Sequence, residues 1–372
     1  LKSIHFAVLG FGNIAKTHIT ALRALPVVKR LPALPVLDTL VTRNPDRHRL
    51  QAEAIGFRRT VSSAAEAAGD ERVDVFDICT PNAVHYDDVM SALGGGKSIY
   101  CEKPVTDRYD RSRRLLEEIE KANPTEQLAF TFRYHPAVMR IREWVRAGVI
   151  GEPLQCNISY RRSGYLDPER PVSWRLQSGL SGGGAISDLG VHVLDLIRHW
   201  FGELSDVSGI ARTYVKERAA EAGSDRRVAV DVDDWAMMHY ETASGVSGAL
   251  EVSRIALGSD AYEIRVVGTR GSLTCDLERQ TVPDIHLLKG GSAAPPQPDA
   301  LELLPGEKAT MGIAVDAHFA ALHHFLLRLA GEDRWPDLAP HIRDGVTVEY
   351  WIERILAASK RNDVAETGGD RT

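Results

Sequence analysis

The 372-residue sequence predicts an α/β Rossmann domain built on a doubly wound parallel sheet, followed by an α+β domain with a large, open, mostly antiparallel sheet. Three observations predict it. Strand-like runs alternate with helical runs from the first residues to Phe132, the pattern of a parallel sheet covered on both faces. The turn Gly10-Phe11-Gly12-Asn13-Ile14-Ala15 sits directly between the first strand and the first helix. After Gly202 the pattern changes to successive short strands separated by tight turns, several close enough for antiparallel pairing. The length exceeds one typical domain, and the change of pattern places the division at 1–133 and 134–372, with the last helices packing back on the first domain.

Composition narrows the class. A net charge of -6 gives no basic excess, which argues against nucleic acid and against anionic membranes as partners. No apolar run is long enough to span a bilayer, and the opening residues read as a strand rather than a leader. Cys79, Cys101, Cys156 and Cys275 are widely spaced with no CxxC, the usage of reduced, mostly buried thiols in a cytoplasmic protein. No histidine pair has zinc-ligand spacing beside a carboxylate base, and the adjacent His323 and His324 diverge on a helix, so no metal site is expected.

In chain order, strand Ile4–Leu9 runs into the glycine turn and then the amphipathic helix Lys16–Leu25. Val36–Thr42, Phe57–Val61, Val73–Cys79, Ser98–Cys101 and Gln127–Phe132 read as further strands. Pro45–Ile55, Ala64–Ala68, Ala83–Leu93 and Arg108–Ala122 read as the helices between them. In the turn, Gly10 makes the bend, Gly12 lets the backbone approach a pyrophosphate, and Ala15 lets helix pack on strand. The helix N-terminus, with Phe11, Asn13 and Ile14 around it, faces the phosphates. The plainer reading is a glycine turn alone.

A ligand of such a sheet lies beyond the carboxyl ends of its strands. The second strand ends in Thr42-Arg43, with Arg47 one turn into the next helix and no carboxylate at the strand end. A 2′-phosphate suits this trio, so NADP is expected ahead of NAD; otherwise Arg43 and Arg47 are solvated charges. Asp38 falls too early in the strand to reach a ribose. The fourth strand ends in Thr80-Pro81-Asn82 with His85 just inside the next helix, and the fifth in Glu102-Lys103-Pro104. Pro104 keeps Lys103 out of the helical region, which leaves its ammonium at a strand end where it can polarise an oxygen. A surface pair with Glu102 is the alternative. Arg133, Tyr134 and His135 follow the sixth strand and face either the site, with Tyr134 on the substrate, or a domain crossing.

In the second half, Ala137–Ala147 reads as a helix and Leu154–Arg161 as a strand. Ser163–Gln177 reads as a long loop whose Tyr165, Trp174 and Arg175 suit a substrate wall. Gly182-Gly183-Gly184 leads into a helix over Ala185–Trp200 that places Asp188, His192 and Asp195 on one face, a carboxylate beside an imidazole as in acid/base catalysis. A polar face with a satisfied histidine is the bland alternative. Strand-like runs follow at Asp206–Tyr214, Val228–Ala229, Trp235–Tyr240, Val246–Ser253, Tyr262–Val267, Ser272–Asp276 and Ile285–Leu288. Glu217–Asp225 reads as a charged surface loop and Gly290–Pro298 as another loop. Ala314–Ala330 and Ile342–Ser359 read as closing helices, with a frayed tail from Asn362.

Taken together, the Gly10–Ala15 turn, Thr80-Pro81-Asn82 with His85, Glu102-Lys103-Pro104, and Gly183-Gly184-Ala185 with Asp188, Gly190, His192 and Asp195 resemble the glucose–fructose oxidoreductase / inositol dehydrogenase / MocA-type oxidoreductases. Asp234-Trp235 and Gly268–Leu273 extend the match, which covers roughly residues 3–360. The resemblance implies that Lys103, Asp188 and His192 form the catalytic set. Lys103 would bind the reacting oxygen beside a cis Lys103–Pro104 bond, and His192, held by Asp188, would shuttle the proton. It implies that Thr80, Pro81, Asn82 and Glu102 line the cofactor with the glycine turn, and that Trp174-Arg175 approach the nicotinamide end. Relatives often have tyrosine where His318 falls, a departure at a cofactor contact. The resemblance further implies a sugar, cyclitol or other cyclic polyol as substrate, hydride transfer with NADP or NAD, and a homodimer or homotetramer formed through the open sheet. An NAD-retaining glycoside hydrolase on the same scaffold and a non-catalytic NAD(P) sensor are the competing readings.

Overall fold

The computed structural model describes residues 2–290 and 295–367, with side chains to Ser359. Residues 291–294 of the expected loop Gly290–Pro298 and the tail 368–372 lie outside the described residues. The chain forms two compact units. One comprises Leu1–Thr106, Asp110–His135 and Asp299–Val346, and the other Asp107–Tyr109, Pro136–Pro298 and Thr347–Thr372.

The first half gives β1 (Lys2–Leu9), α1 (Asn13–Val28), β2 (Ala33–Val41), α2 (Pro45–Ile55), β3 (Arg59–Val61), α3 (Ala64–Ala68), β4 (Val75–Ile78), α4 (Asn82–Gly94), β5 (Ser98–Cys101), α5 (Tyr109–Ala122) and β6 (Glu126–Leu128). The six strands form one sheet of order β3-β2-β1-β4-β5-β6, with every pairing parallel. Strands β4 and β5 are buried almost throughout because helices cover both faces. The order reverses between β1 and β4, which opens a crevice beyond their carboxyl ends. The run expected as strand through Phe132 stops at Leu128. Phe130 leaves strand geometry, and Thr131–Tyr134 close into a 3₁₀ turn.

The second half gives α6 (Pro136–Arg146), β7 (Pro153–Arg161), a short α7 (Ser178–Ser181), a π-helical turn Ile186–Gly190, and α8 (Val191–Phe201). Then come β8 (Leu204–Arg212), β9 (Glu217–Ala219), β10 (Arg227–Ala229), β11 (Trp235–Thr242), β12 (Ser247–Ser253), β13 (Ala261–Gly268), β14 (Gly271–Asp276) and β15 (Asp284–Leu287). Seven strands form a sheet of order β15-β14-β13-β7-β12-β11-β8. Only β7 and β12 run parallel. Along β11, Ala236, Met238, Tyr240 and Thr242 are buried while Met237, His239 and Glu241 are exposed, the alternation of a sheet covered on one face. The uncovered face carries a groove of about 490 Å³ along Asn157, Met237, Glu251, Glu263 and Arg265. The chain closes with α9 (Ile313–Leu329) and α10 (Ile342–Thr367). Among the described residues no helix is long and apolar enough to cross a membrane.

Two expectations are corrected here. Glu217–Asp225 is not simply a surface loop: β9 pairs antiparallel with β10, and Arg218 is fully buried. Its guanidinium donates to the carbonyls of Asp167 (2.6 Å) and Tyr165, which offsets part of the cost of removing the charge from water. The closing helix also does not stop at Ser359 but runs to Thr367, past the Asn362 at which the tail was expected.

Candidate active site

In the first unit the site begins at the β1–α1 turn. Gly10 has φ +94°, and a Cβ there would lie 2.8 Å from the Cys79 carbonyl oxygen, so the turn between the two central strands admits only glycine. Gly12 differs. A Cβ at Gly12 would meet no protein atom within 4 Å. The protein's own packing therefore leaves room in front of the first amides of α1, from Asn13 and Ile14, for a pyrophosphate. Ala15 is fully buried against the sheet. Phe11 packs edge-on to His48, with ring centroids 5.2 Å apart. These residues fit a dinucleotide.

At the end of β2, Thr42 is tied to β3 through its amide, which donates to the Val61 carbonyl at 3.0 Å. Arg43 and Arg47 are exposed, and neither takes part in an ion pair among the described residues. Asp38 is buried and already committed. Arg58 donates to it twice, at 3.0 and 2.8 Å, and His5 stands 3.2 Å away. Burial opposes the Asp38 charge, but these bonds hold its carboxyl down at about 2.

At the end of β4 the Thr80 hydroxyl donates to Asp88 at 2.6 Å, and burial pushes Asp88 up to about 6. Pro81 caps α4 and Asn82 opens it. His85, expected at the cofactor, is fully buried instead. Its Nε2 lies 2.8 Å from the Thr80 carbonyl and its Nδ1 3.0 Å from that of Pro104. Burial lowers its pKa, so the neutral ring donates one of these bonds and braces the strand-end turns, with no face left for a nucleotide. The Lys103–Pro104 bond is cis, and the Lys103 amide donates to Glu102 Oε2 at 3.2 Å. Tyr134, expected on the substrate, is also corrected. It is fully buried, and its hydroxyl is held by His324 Nδ1 (2.9 Å) and Gln127 (3.2 Å).

Behind Glu102 lies a cluster that no motif announces. His18, on the buried face of α1, places Nδ1 2.8 Å from Asp77 Oδ1 and Nε2 3.2 Å from Glu102 Oε1. Burial opposes a charge on His18, but the Cys79 sulfur and the Asp77 carboxylate outweigh it, and its pKa is raised well above the ordinary value. Burial itself keeps the Cys79 thiol protonated, so Asp77 is the effective counter-charge. Glu102 is held at about 2, because its close contact with the His18 imidazolium overcomes its own burial. His318 stands with its ring centroid 5.1 Å from that of His18 and is driven down to about 3, chiefly by burial. Nitrogen and oxygen atoms of His18, Glu102 and His318 lie within 4.8 Å of one another. The His18 imidazolium supplies the positive charge that two buried carboxylates demand. The available signal was a histidine on an apolar helix face and an aspartate inside the apolar strand Val75–Ile78.

In the second unit the triple glycine is explained by close approach. A Cβ on Gly182, where φ is +79°, would collide with the Asp107 carbonyl, and one on Gly184 with that of Asp233. The Asp233 carboxylate accepts from the amides of Gly184 and Ile186, both at 2.8 Å, and its carbonyl accepts from Ala185 at 2.8 Å. This anchors the start of the π-helical turn that carries Asp188. Such turns are rare and frequent at functional sites. Arg254 Nη2 donates to Asp188 Oδ2 at 3.0 Å. His192 and Asp195 follow on α8, both buried. Arg175 stacks on Trp174, with the guanidinium carbon 4.4 Å from the ring centroid. The Tyr165 ring has the guanidinium of Arg170 at 4.2 Å and that of Arg254 at 5.0 Å.

A parallel sheet of order 3-2-1-4-5-6 with a glycine cradle at its switch point, joined in one chain to a mixed sheet domain, defines a dinucleotide-binding Rossmann protein with a second domain. Residues 4–130 match the model of that description, "Oxidoreductase family, NAD-binding Rossmann fold", and residues 138–274 match the GFO/IDH/MocA C-terminal domain. The chain belongs to the GFO/IDH/MocA family. It is similar to levoglucosan dehydrogenase of Pseudarthrobacter phenanthrenivorans (31% identity, covering 75% of each chain) and to inositol 2-dehydrogenase of Rhizobium meliloti (29%, covering 79% of this chain and 82% of the relative). Among solved structures, a levoglucosan dehydrogenase in complex with NADH and levoglucosan superposes with a TM-score of 0.88 at 27% identity, covering 97% of this chain and 98% of that one.

Proposed function

We propose that the protein is an NAD(P)-dependent dehydrogenase or reductase acting on a secondary alcohol or ketone of a sugar, anhydro-sugar or cyclitol. The likeness to a levoglucosan dehydrogenase solved with NADH and levoglucosan, along nearly the whole of both chains, carries this reading. The bound dinucleotide gives or takes the hydride. The chain's own residues handle the oxygen and the proton. The Lys103 ammonium binds and polarises the reacting oxygen. In oxidation, neutral His192 takes the hydroxyl proton as hydride leaves carbon; in reduction, its imidazolium returns a proton to the carbonyl oxygen. Asp188 holds His192 for that transfer. Thr80, Pro81, Asn82 and Glu102 line the cofactor, Trp174-Arg175 approach the nicotinamide end, and Tyr165 belongs to the substrate wall. Arg43 and Arg47, with Thr42, favour NADP(H). The uncovered face of the seven-stranded sheet serves a homodimer or homotetramer.

A panel of sugars, anhydro-sugars and cyclitols with either cofactor, read by reduced-nicotinamide absorbance, tests the reading. One member should turn over with a matching absorbance change. Turnover without net absorbance change would replace it by an NAD-retaining hydrolase. Lys103→Met should lower turnover by about 100- to 1,000-fold, the loss of one donor aimed at a developing charge, while the cofactor still binds. Near-normal turnover would remove Lys103 from its role.

A further inference from the structure

We propose that Arg254 is a positioning residue of this reaction, a buried guanidinium that fixes the Asp188 carboxylate and ties it to the wall carrying Tyr165 and Arg175. The inference rests on the role given to Asp188 above.

Arg254 follows directly on β12, whose last residue is Ser253. The π-helical turn lies against that strand: a Cβ on Gly190 would touch Val252 Cγ2 at 3.8 Å. The backbone of Arg254 is clamped on both sides, its amide donating to the Asp234 carbonyl and its own carbonyl accepting from the Tyr165 amide, each at 2.9 Å. From this fixed base the side chain reaches three groups. Nη2 donates to Asp188 Oδ2 at 3.0 Å, Nη1 meets the Arg175 carbonyl at 3.5 Å, and the guanidinium lies 5.0 Å from the Tyr165 ring centroid.

The exposures of the pair are unequal. The Arg254 side chain is 3% exposed and that of Asp188 30%. An arginine serving only as a surface partner would keep its charge in water, where such pairs contribute little. Here the cation carries the desolvation cost, and the carboxylate it holds stays open to the site. Burying one member of an ion pair is a poor route to stability but a good one to a single geometry. The planar fork lets one side chain bond Asp188 and a loop carbonyl together, which a lysine ammonium does less well. The carboxylate orientation is thereby coupled to the placement of the loop between Ser163 and Gln177.

The test is a double-mutant cycle on the full-length protein with Arg254→Met, Arg254→Lys, Asp188→Asn and the Arg254→Met/Asp188→Asn double variant. Single-turnover and steady-state rates are measured on the substrate found in the panel, with NADH affinity read by fluorescence. Arg254→Met should lower kcat by about 10- to 100-fold, the range of a contacting pair, with NADH affinity unchanged and part of the rate restored in Arg254→Lys. In the Asp188→Asn background it should cost no further rate. A normal kcat in Arg254→Met beside a defective Asp188→Asn, or losses that multiply in the double variant, overturns the positioning role alone. A normal Asp188→Asn overturns both that role and the reading of Asp188 on which it stands. Should Arg254→Met not fold, Arg254→Lys in both backgrounds closes the same cycle.

Discussion

The imidazole of His18 bridges Asp77 and Glu102, 2.8 Å from one carboxylate and 3.2 Å from the other, with no solvent at either contact of the ring. Removing the ring leaves two buried carboxylates facing each other without their cation. His18→Leu should therefore cost about 3–5 kcal/mol of stability, read as a lower denaturant midpoint. The pH dependence follows from the two shifts. His18 is raised above its ordinary 6.5, so its contribution is complete below 6.5 and lost as pH rises through the higher native value. Glu102 is held at about 2 against an ordinary 4.5, so its contribution is present above 4.5 and lost as pH falls through about 2. Stability should sag on both flanks, and the alkaline sag should flatten in His18→Leu. An unchanged alkaline limb in that variant would show that the ring is not the cation.

Gly10 and Gly12 stand two residues apart and answer to different partners. Gly10→Ala places a methyl group against the Cys79 carbonyl at a φ of +94°, so it should cost about 1–3 kcal/mol of folding stability. Gly12→Ala meets nothing in the protein within 4 Å and should leave stability within about 0.5 kcal/mol. It should still weaken cofactor binding about tenfold or more, because the methyl group occupies the path of the pyrophosphate. Calorimetric melting and cofactor titration separate the two. Equal effects of Gly12→Ala on melting and on binding would remove the cradle from that position.

What was legible in the sequence was what local physics determines. The bounds of Pro45–Ile55, Ala64–Ala68 and Ser98–Cys101 coincide with the structure because proline, serine and glycine punctuate an alternating pattern. The glycine turn and the triple glycine stand where the motifs placed them, and the Lys103–Pro104 bond is cis as the family resemblance implies. The less legible part lies in partners distant along the chain. Asp188 stands on a π-helical turn where helical spacing predicts a plain helix, and Arg254, 66 residues away and just past the end of a strand, reaches it with no motif to mark it. His18 and Asp77 are separated by 59 residues. Its place after a strand predicts Tyr134 on the substrate; the strand ends early, and the 3₁₀ turn carries the ring inward. Arg218 was hidden by a strand of three residues, too short to show a period.

Cofactor choice turns on the end of β2. Asp38 is spoken for by Arg58 and His5, and Arg43 and Arg47 are exposed with no ion pair among the described residues. A 2′-phosphate offers both guanidiniums charge-assisted bonds, each worth about 1.5–3 kcal/mol. Arg43→Ala should therefore weaken NADP binding about tenfold or more while moving NAD binding by no more than about twofold. Asp38→Asn should lower stability, most visibly at neutral pH, because the carboxyl held at about 2 contributes above its ordinary 3.8 and loses that contribution as pH falls through 2. It should leave the NADP-to-NAD ratio where it was. Titration of both variants with both dinucleotides decides the matter: an equal loss for the two cofactors in Arg43→Ala would end the preference for NADP, and a changed ratio in Asp38→Asn would place Asp38 at the ribose after all.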